Sequence, residues 1–137
     1  MTYIPDALRQ KIQQQAKNRC EYCRLHEIDA YHSHEIDHIF AEKHGGETAE
    51  ANLCLACFVC NRHKGSDLCS IDPQTGNVTT LYHPRRDTWT EHFRLMQTGI
   101  IEPLTATGRV PARVLRFNRL DLVDDRRSYC RAQSLNM

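Results

Sequence analysis

The sequence predicts a small α+β fold: two short strands and a short helix held between paired cysteine turns, with an added β-hairpin and flanking helices. Three observations carry this. Cysteines pair as Cys20-Glu-Tyr-Cys23 and Cys57-Phe-Val-Cys60, separated by 33 residues. Short strand-like runs, Glu35–Phe40 and Leu53–Ala56, lie between the two pairs. Helix-like periodicity appears mainly before Cys20 and after Asp87.

Taken in order, Pro5 suits the first turn of a helix running to about Asn18, with Ala7, Leu8, Ile12 and Ala16 as its apolar stripe. Gly45-Gly46 marks a turn after the first strand. The second strand leads into a helix at Cys57–Lys64, which Gly65 can end. Asp72-Pro-Gln-Thr-Gly-Asn77 is a turn between Ser70-Ile71 and Val78–Tyr82, predicting a hairpin. Asp87–Met96 reads as a helix with Asp87 as N-cap and Trp89 and Phe93 on one face. Further helices are expected over Arg109–Phe117 and Leu120–Arg131. One domain of residues 1–137 is expected, divided into an N-terminal helix (1–19), a cysteine-bound core (20–66), and a hairpin with C-terminal helices (67–137).

Hydrophobic content of 40% and charged content of 26% suit an ordinary globular chain. No stretch approaches the roughly 18 apolar residues of a membrane span, and the N-terminus reads as an amphipathic helix rather than a signal peptide. A cytoplasmic, reducing location without membrane partners is the expectation. Seven cysteines in that setting favour metal ligation over disulfides. Net charge of +1 gives no strong pointer to nucleic acid. Its distribution says a little more: seven arginines between Arg109 and Arg131 stand against only Asp121, Asp124 and Asp125, a basic third that suits a phosphate backbone or equally a solvated helix face. Arg109, Arg113 and Arg116 would form a basic stripe on one helix.

A thiolate pair at CxxC spacing supplies two corners of a metal tetrahedron, and two such pairs close a structural zinc site. Cys20, Cys23, Cys57 and Cys60 are the expected ligands. Cys54, Cys57 and Cys60 recur every third residue, so Cys54/Cys57 stands as an alternative second pair. Cys57/Cys60 is preferred because Cys54 falls inside the apolar strand. Cys69 and Cys130 have no partner pattern and read as small buried hydrophobes.

Between the pairs lies His34-Glu-Ile-Asp37-His38-Ile39, then Gly45-Gly46, Asn52-Leu53, and Cys60-Asn61-Arg-His63-Lys64-Gly65. An imidazole can take a proton from water near neutral pH, making His38 a candidate general base. Asp37 offers a hard anionic oxygen suited to Mg²⁺, and Asn61 an amide oxygen. As an ordered set, these residues resemble the HNH endonuclease family over Cys20–Ser66. The downstream stretches around His83–Phe93 and Leu104–Arg119 are similar to a bacterial group of stand-alone HNH proteins.

The resemblance implies a ββα-metal (His-Me finger) core and endonuclease activity with Mg²⁺ or another divalent cation. In it, Asp37 and Asn61 would hold the metal, His38 would activate water, and Asn52 would orient the histidine-bearing loop. DNA is the expected substrate, cut to 5′-phosphate and 3′-hydroxyl ends. Asn61 stands where many relatives carry histidine, making this an H-N-N version of the motif. Adjacent residues of a regular strand point to opposite faces, so Asp37 and His38 are expected at a strand end or in a bend.

Phosphate contacts are assigned to His63, Lys64, Arg85 and Arg86, with a solvated surface role as the rival for each. His63 sits about 200° around the helix from Asn61. A monomer with one site would nick, whereas a homodimer could cut both strands. The rival function is a zinc-stabilised nucleic-acid-binding module without turnover; a third is a zinc-ribbon adaptor for a protein partner. Retention of Asp37, His38 and Asn61 together favours the enzyme.

Overall fold

A computed structural model describes the backbone of residues 2–135 and the side chains of residues 2–128. Helix α1 spans Asp6–Ala16, entered through Pro5 and closed by Lys17 in the left-handed region. Strands β1 (Glu35–His38) and β2 (Leu53–Ala56) pair antiparallel, with Asp37 opposite Cys54 and His38 opposite Leu53. Helix α2 (Phe58–Lys64) follows at once, its N-cap being Cys57 and its C-cap Gly65. The order of these three elements is that expected from the sequence.

All four residues of β2 are buried because both faces are covered. Leu53 and Leu55 pack with Ile4, Ile12 and Ala16 of the N-terminal segment, joined by Leu8 and Ile36. Cys54 and Ala56 point the other way, into a larger core holding Tyr22, Trp89, Phe93, Val110, Leu115 and Phe117. Strand alternation thus sorts neighbouring residues into two different cores.

The expected hairpin forms from β3 (Cys69–Ile71) and β4 (Val78–Thr80). The helix expected over Asp87–Met96 does not. Only Trp89–His92 (α3) makes a turn, and the chain then extends as β5 (Phe93–Leu95), paired with β6 (Ile101–Pro103). Tertiary burial decides this: the Phe93 ring meets Trp89 at 5.0 Å, Tyr82 at 5.4 Å and Phe117 at 5.5 Å. Asp87 does not cap the turn either; it accepts from the backbone N–H of His83 at 2.8 Å.

Helix α4 runs Ala106–Val114, three residues earlier than expected, with Thr105 accepting from the Gly108 N–H as its cap. Gly108 is required there: a Cβ would lie 2.3 Å from the His92 carbonyl oxygen. Helix α5 spans Leu120–Leu135, reaching beyond the expected end. Cys69 is exposed in β3 rather than buried. Cys130 lies outside the residues whose side chains are described. Among the described residues, no helix is long and apolar enough to cross a membrane.

The basic stripe expected along α4 is broken. Arg109 binds Asp72 through two contacts of 2.8 and 3.0 Å, fastening α4 to the β3–β4 turn. Arg116 falls beyond the helix at φ +56°. The Arg109 contacts hold the Asp72 carboxyl well below its ordinary range. Its folded pKa being depressed, the pair's contribution is complete above the unfolded value of about 3.9 and is lost as pH falls through the folded one. Asp72→Asn should therefore lower stability at neutral pH and flatten the acid side of the stability profile. Thermal melts across an acid pH series read this; an unchanged acid limb would contradict it.

Candidate active site

Four sulfurs converge where the two CxxC turns meet. The ligand atoms of Cys20, Cys23, Cys57 and Cys60 all lie within 4.8 Å of one another, and all four residues are buried. In each turn the backbone donates back to the first thiol: Cys23 N–H to Cys20 Sγ and Cys60 N–H to Cys57 Sγ, both at 3.4 Å. Cys23 and Cys57 approach to 3.7 Å. A tetrahedron with metal–sulfur bonds of about 2.3 Å has edges of roughly 3.8 Å, so the cluster matches a tetrahedral ion. Hydrogen bonds from the neighbouring thiols pull Cys23 well below the ordinary thiol value, while burial pushes Cys60 well above it. A cation in the cluster resolves that conflict by stabilising all four thiolates.

Cys54 is not part of this group. It lies across β2, 3.8 Å from Asp37 Oδ2, and burial pushes its thiol well above the ordinary value. The choice left open by the three-residue cysteine spacing is thus settled for Cys57 and Cys60.

The segment between β1 and β2 is tied by one amide. The Asn52 side chain accepts from the Phe40 N–H at 2.8 Å and donates to the Phe40 carbonyl at 2.9 Å and the Glu47 carbonyl at 2.8 Å. The Ile39 N–H adds a bond to the Asn52 carbonyl at 2.8 Å. Gly46 makes the closure feasible, since a Cβ there would sit 1.7 Å from the Phe40 carbonyl oxygen. The loop that follows His38 is therefore held from inside by the Asn52 amide.

His38 ends β1 and lines a cleft of about 530 Å³ with Arg9, Glu35, Glu42 and Asn61 among its walls. Its Nε2 lies 2.8 Å from Thr48 Oγ1 and 3.5 Å from Glu42 Oε1. Neither Thr48 nor Glu42 was marked by the sequence, because both depend on how the 39–52 loop folds back.

Asp37 and His38 are the last two residues of β1, at a strand end, and they face opposite sides of it. Asp37 is 5% exposed and sits in the interior. Lys64 Nζ is 3.1 Å from Oδ2 and 3.4 Å from Oδ1, and the Tyr22 hydroxyl donates to Oδ2 at 2.8 Å. Burial raises the Asp37 carboxyl above its ordinary value, with the Lys64 ammonium opposing the shift. Asn61 instead donates to Glu35 at the cleft. As arranged, Asp37 and Asn61 do not fit a shared Mg²⁺, because Lys64 and Tyr22 already take both carboxylate oxygens.

Two expected phosphate contacts are corrected for the same physical reason. Lys64 is 2% exposed, and its ammonium donates to Asp37 and to the His38 carbonyl at 3.1 Å, where it braces β1 rather than meeting solvent. Arg85 makes a two-point pair with Glu21 at 2.6 and 3.0 Å, tying the His83–Asp87 turn to the first knuckle. Arg86 remains exposed, with its guanidinium 5.0 Å from the Phe40 ring. His83 is buried; its Nδ1 accepts from the Arg85 N–H, so it shapes the turn. His63 faces away from the cleft, near Arg62, Arg116 and Arg119. Burial lowers its imidazole, and those guanidiniums lower it further.

The paired cysteine turns, the antiparallel strands, the asparagine-locked loop and His38 all fall in one segment. Residues 20–67 match the HNH endonuclease family model. No curated protein and no solved structure matches the chain. The HNH segment accordingly holds the four cysteines, His38, Asn52 and Asn61, while Arg85, Arg86 and the C-terminal helices lie outside it.

Asn52 and Gly46 serve one closure, so their substitutions should couple. Asn52→Ala and Gly46→Ala are each expected to cost about 1–3 kcal/mol. The double variant should cost clearly less than their sum, as read by urea unfolding. Strict additivity would show that the two act separately.

Proposed function

We propose that the chain is an endonuclease that hydrolyses nucleic-acid phosphodiesters, DNA being the favoured substrate, with His38 as general base. The observation that carries this reading is the His38 imidazole, oriented by Thr48 and Glu42, open to a cleft it shares with Asn61 inside a loop that Asn52 locks. Phosphodiester hydrolysis needs an activated water and polar groups around the phosphate. His38 takes the proton from the attacking water, while Thr48 and Glu42 hold its ring. Asn61 and Arg9, on the same cleft, orient and neutralise the phosphate.

The HNH match implies a divalent cation. An ion on Asp37 would first have to displace Lys64, so no step is assigned to one there. Lys64 instead holds the end of β1 and thereby positions His38. The expected readout is nicking of supercoiled plasmid in Mg²⁺ or Mn²⁺ by the wild-type chain. His38→Ala should abolish it while leaving metal content and melting temperature intact. A variant that nicks as fast as wild type removes His38 from the reaction.

The four-cysteine cluster is proposed to hold zinc. The all-thiolate set is soft, closed and without an open position, which suits a structural ion rather than a catalytic one. Cys54→Ala should keep one zinc per chain by metal analysis, whereas Cys57→Ala should lose it together with cooperative folding. Equal loss from both would mean that Cys54 belongs to the ligand set.

A further inference from the structure

Helix α2 carries Asn61 toward the cleft, and a second surface opens on another side of the same helix. There a cavity of about 240 Å³ is walled by Tyr31, His32, Phe58, Arg62, His63 and Arg119. Its aromatic rings form a continuous series. His32 lies 4.5 Å from Phe58 at an interplanar angle of 37°, and Tyr31 meets His32 edge-on at 4.9 Å. The Arg62 guanidinium covers the far end of Phe58 at 5.5 Å. Tyr31 is 95% exposed and His32 is exposed too, so their ring faces are open to a partner.

Large exposed aromatics on a surface loop need a reason, because burying them elsewhere would be favourable. The charge around them supplies one. Arg62 and Arg116 are exposed, and both lie close enough to His63 to depress its imidazole. Asp121, which lines this cavity, is held at two points by Arg119, at 2.8 and 2.9 Å, and Asp125 borders the same rings from the adjoining cavity, away from Arg62 and His63. Planar rings beside Arg62 and Arg116, which form no ion pair among the described residues, match a nucleotide: a π-face to stack on the rings and a phosphate for the cations.

We propose that Tyr31, His32, Phe58 and Arg62 form a stacking platform for an unpaired base of the nucleic-acid substrate, with Arg116 and His63 beside its phosphate. Bases inside a duplex are already stacked and cannot reach these rings, so the platform selects single-stranded or splayed strands. It deepens the proposed function and rests on it for the substrate class. It also makes a claim about binding that cleavage does not decide.

The experiment measures anisotropy of labelled oligonucleotides with the full, zinc-loaded chain and no added Mg²⁺ or Mn²⁺. A single-stranded DNA, its duplex, and an abasic strand of equal length are compared. Wild type should prefer the single strand over both others. His32→Ala and Tyr31→Ala should each weaken single-strand binding by about five- to a hundred-fold. They should leave duplex and abasic binding within about twofold, since phosphate contacts are untouched. Arg62→Gln should weaken binding to all three.

Unchanged melting temperature and metal content confirm that these exposed substitutions leave the fold intact. Single-strand affinity equal to that for the abasic strand, or unaltered by His32→Ala and Tyr31→Ala, overturns the platform. If plasmid nicking is absent while the base-dependent preference persists, the nuclease reading fails and the platform stands. If nicking persists without that preference, the platform alone fails.

Discussion

The convergence of four thiols is the constraint on which the rest of the structure depends. Cys20 and Cys23 hold a turn after α1, and Cys57 and Cys60 hold the junction between β2 and α2. Joining them fixes where β2 ends and where α2 begins, and so sets Asn61 and Lys64 relative to β1. The guanidinium of Arg126 in α5 is buried and also draws the Cys23 thiol downward. The same side chain donates to the Gly99 and Phe117 carbonyls, at 2.8 and 2.6 Å, and so anchors α5 to the core.

Around that anchor, buried polar groups do the positioning. Asp37, Lys64, Tyr22 and Cys54 share one interior pocket between the strands and α2. Such a pair contributes little net stability against an apolar replacement, yet losing one partner strands a charge and costs several kcal/mol, about 3–5. Its value here is registry, because Lys64 grips both the Asp37 carboxylate and the His38 carbonyl. Glu21 works likewise, joining Arg85 to the first knuckle and accepting from the Leu55 N–H at 2.7 Å.

Legibility followed the range of the interaction that decided each element. The span Leu53–Ala56, the helix after Cys57 and the Gly65 stop could be read because their signals are local. The cysteine cluster was readable through its spacing, though Cys54 stayed a rival to the second pair until the fold placed it beside Asp37. Trp89–Leu95 misled because its helical periodicity was real, but the Phe93 ring also packs on Tyr82 and Phe117, contacts distant in sequence that leave no local mark. Among site residues, Asn52 carried its signal in sequence, while Thr48 and Glu42 did not. The fates of Lys64 and Arg85 were hidden because a cation's partner far along the chain leaves no periodic mark.

Helix α2 has only seven residues, and successive side chains rotate by about 100°. Asn61 looks into the cleft, Arg62 and His63 look out over the aromatic rings, and Lys64 turns inward to brace β1. One short rod thus separates three duties that share no side chain. Under the proposed roles, change at positions 62 and 63 would retune strand capture without reaching the cleft or the interior, whereas buried Lys64 tolerates little. Adaptation to a new target would in this sense be modular, with an adjustable face built beside a buried one.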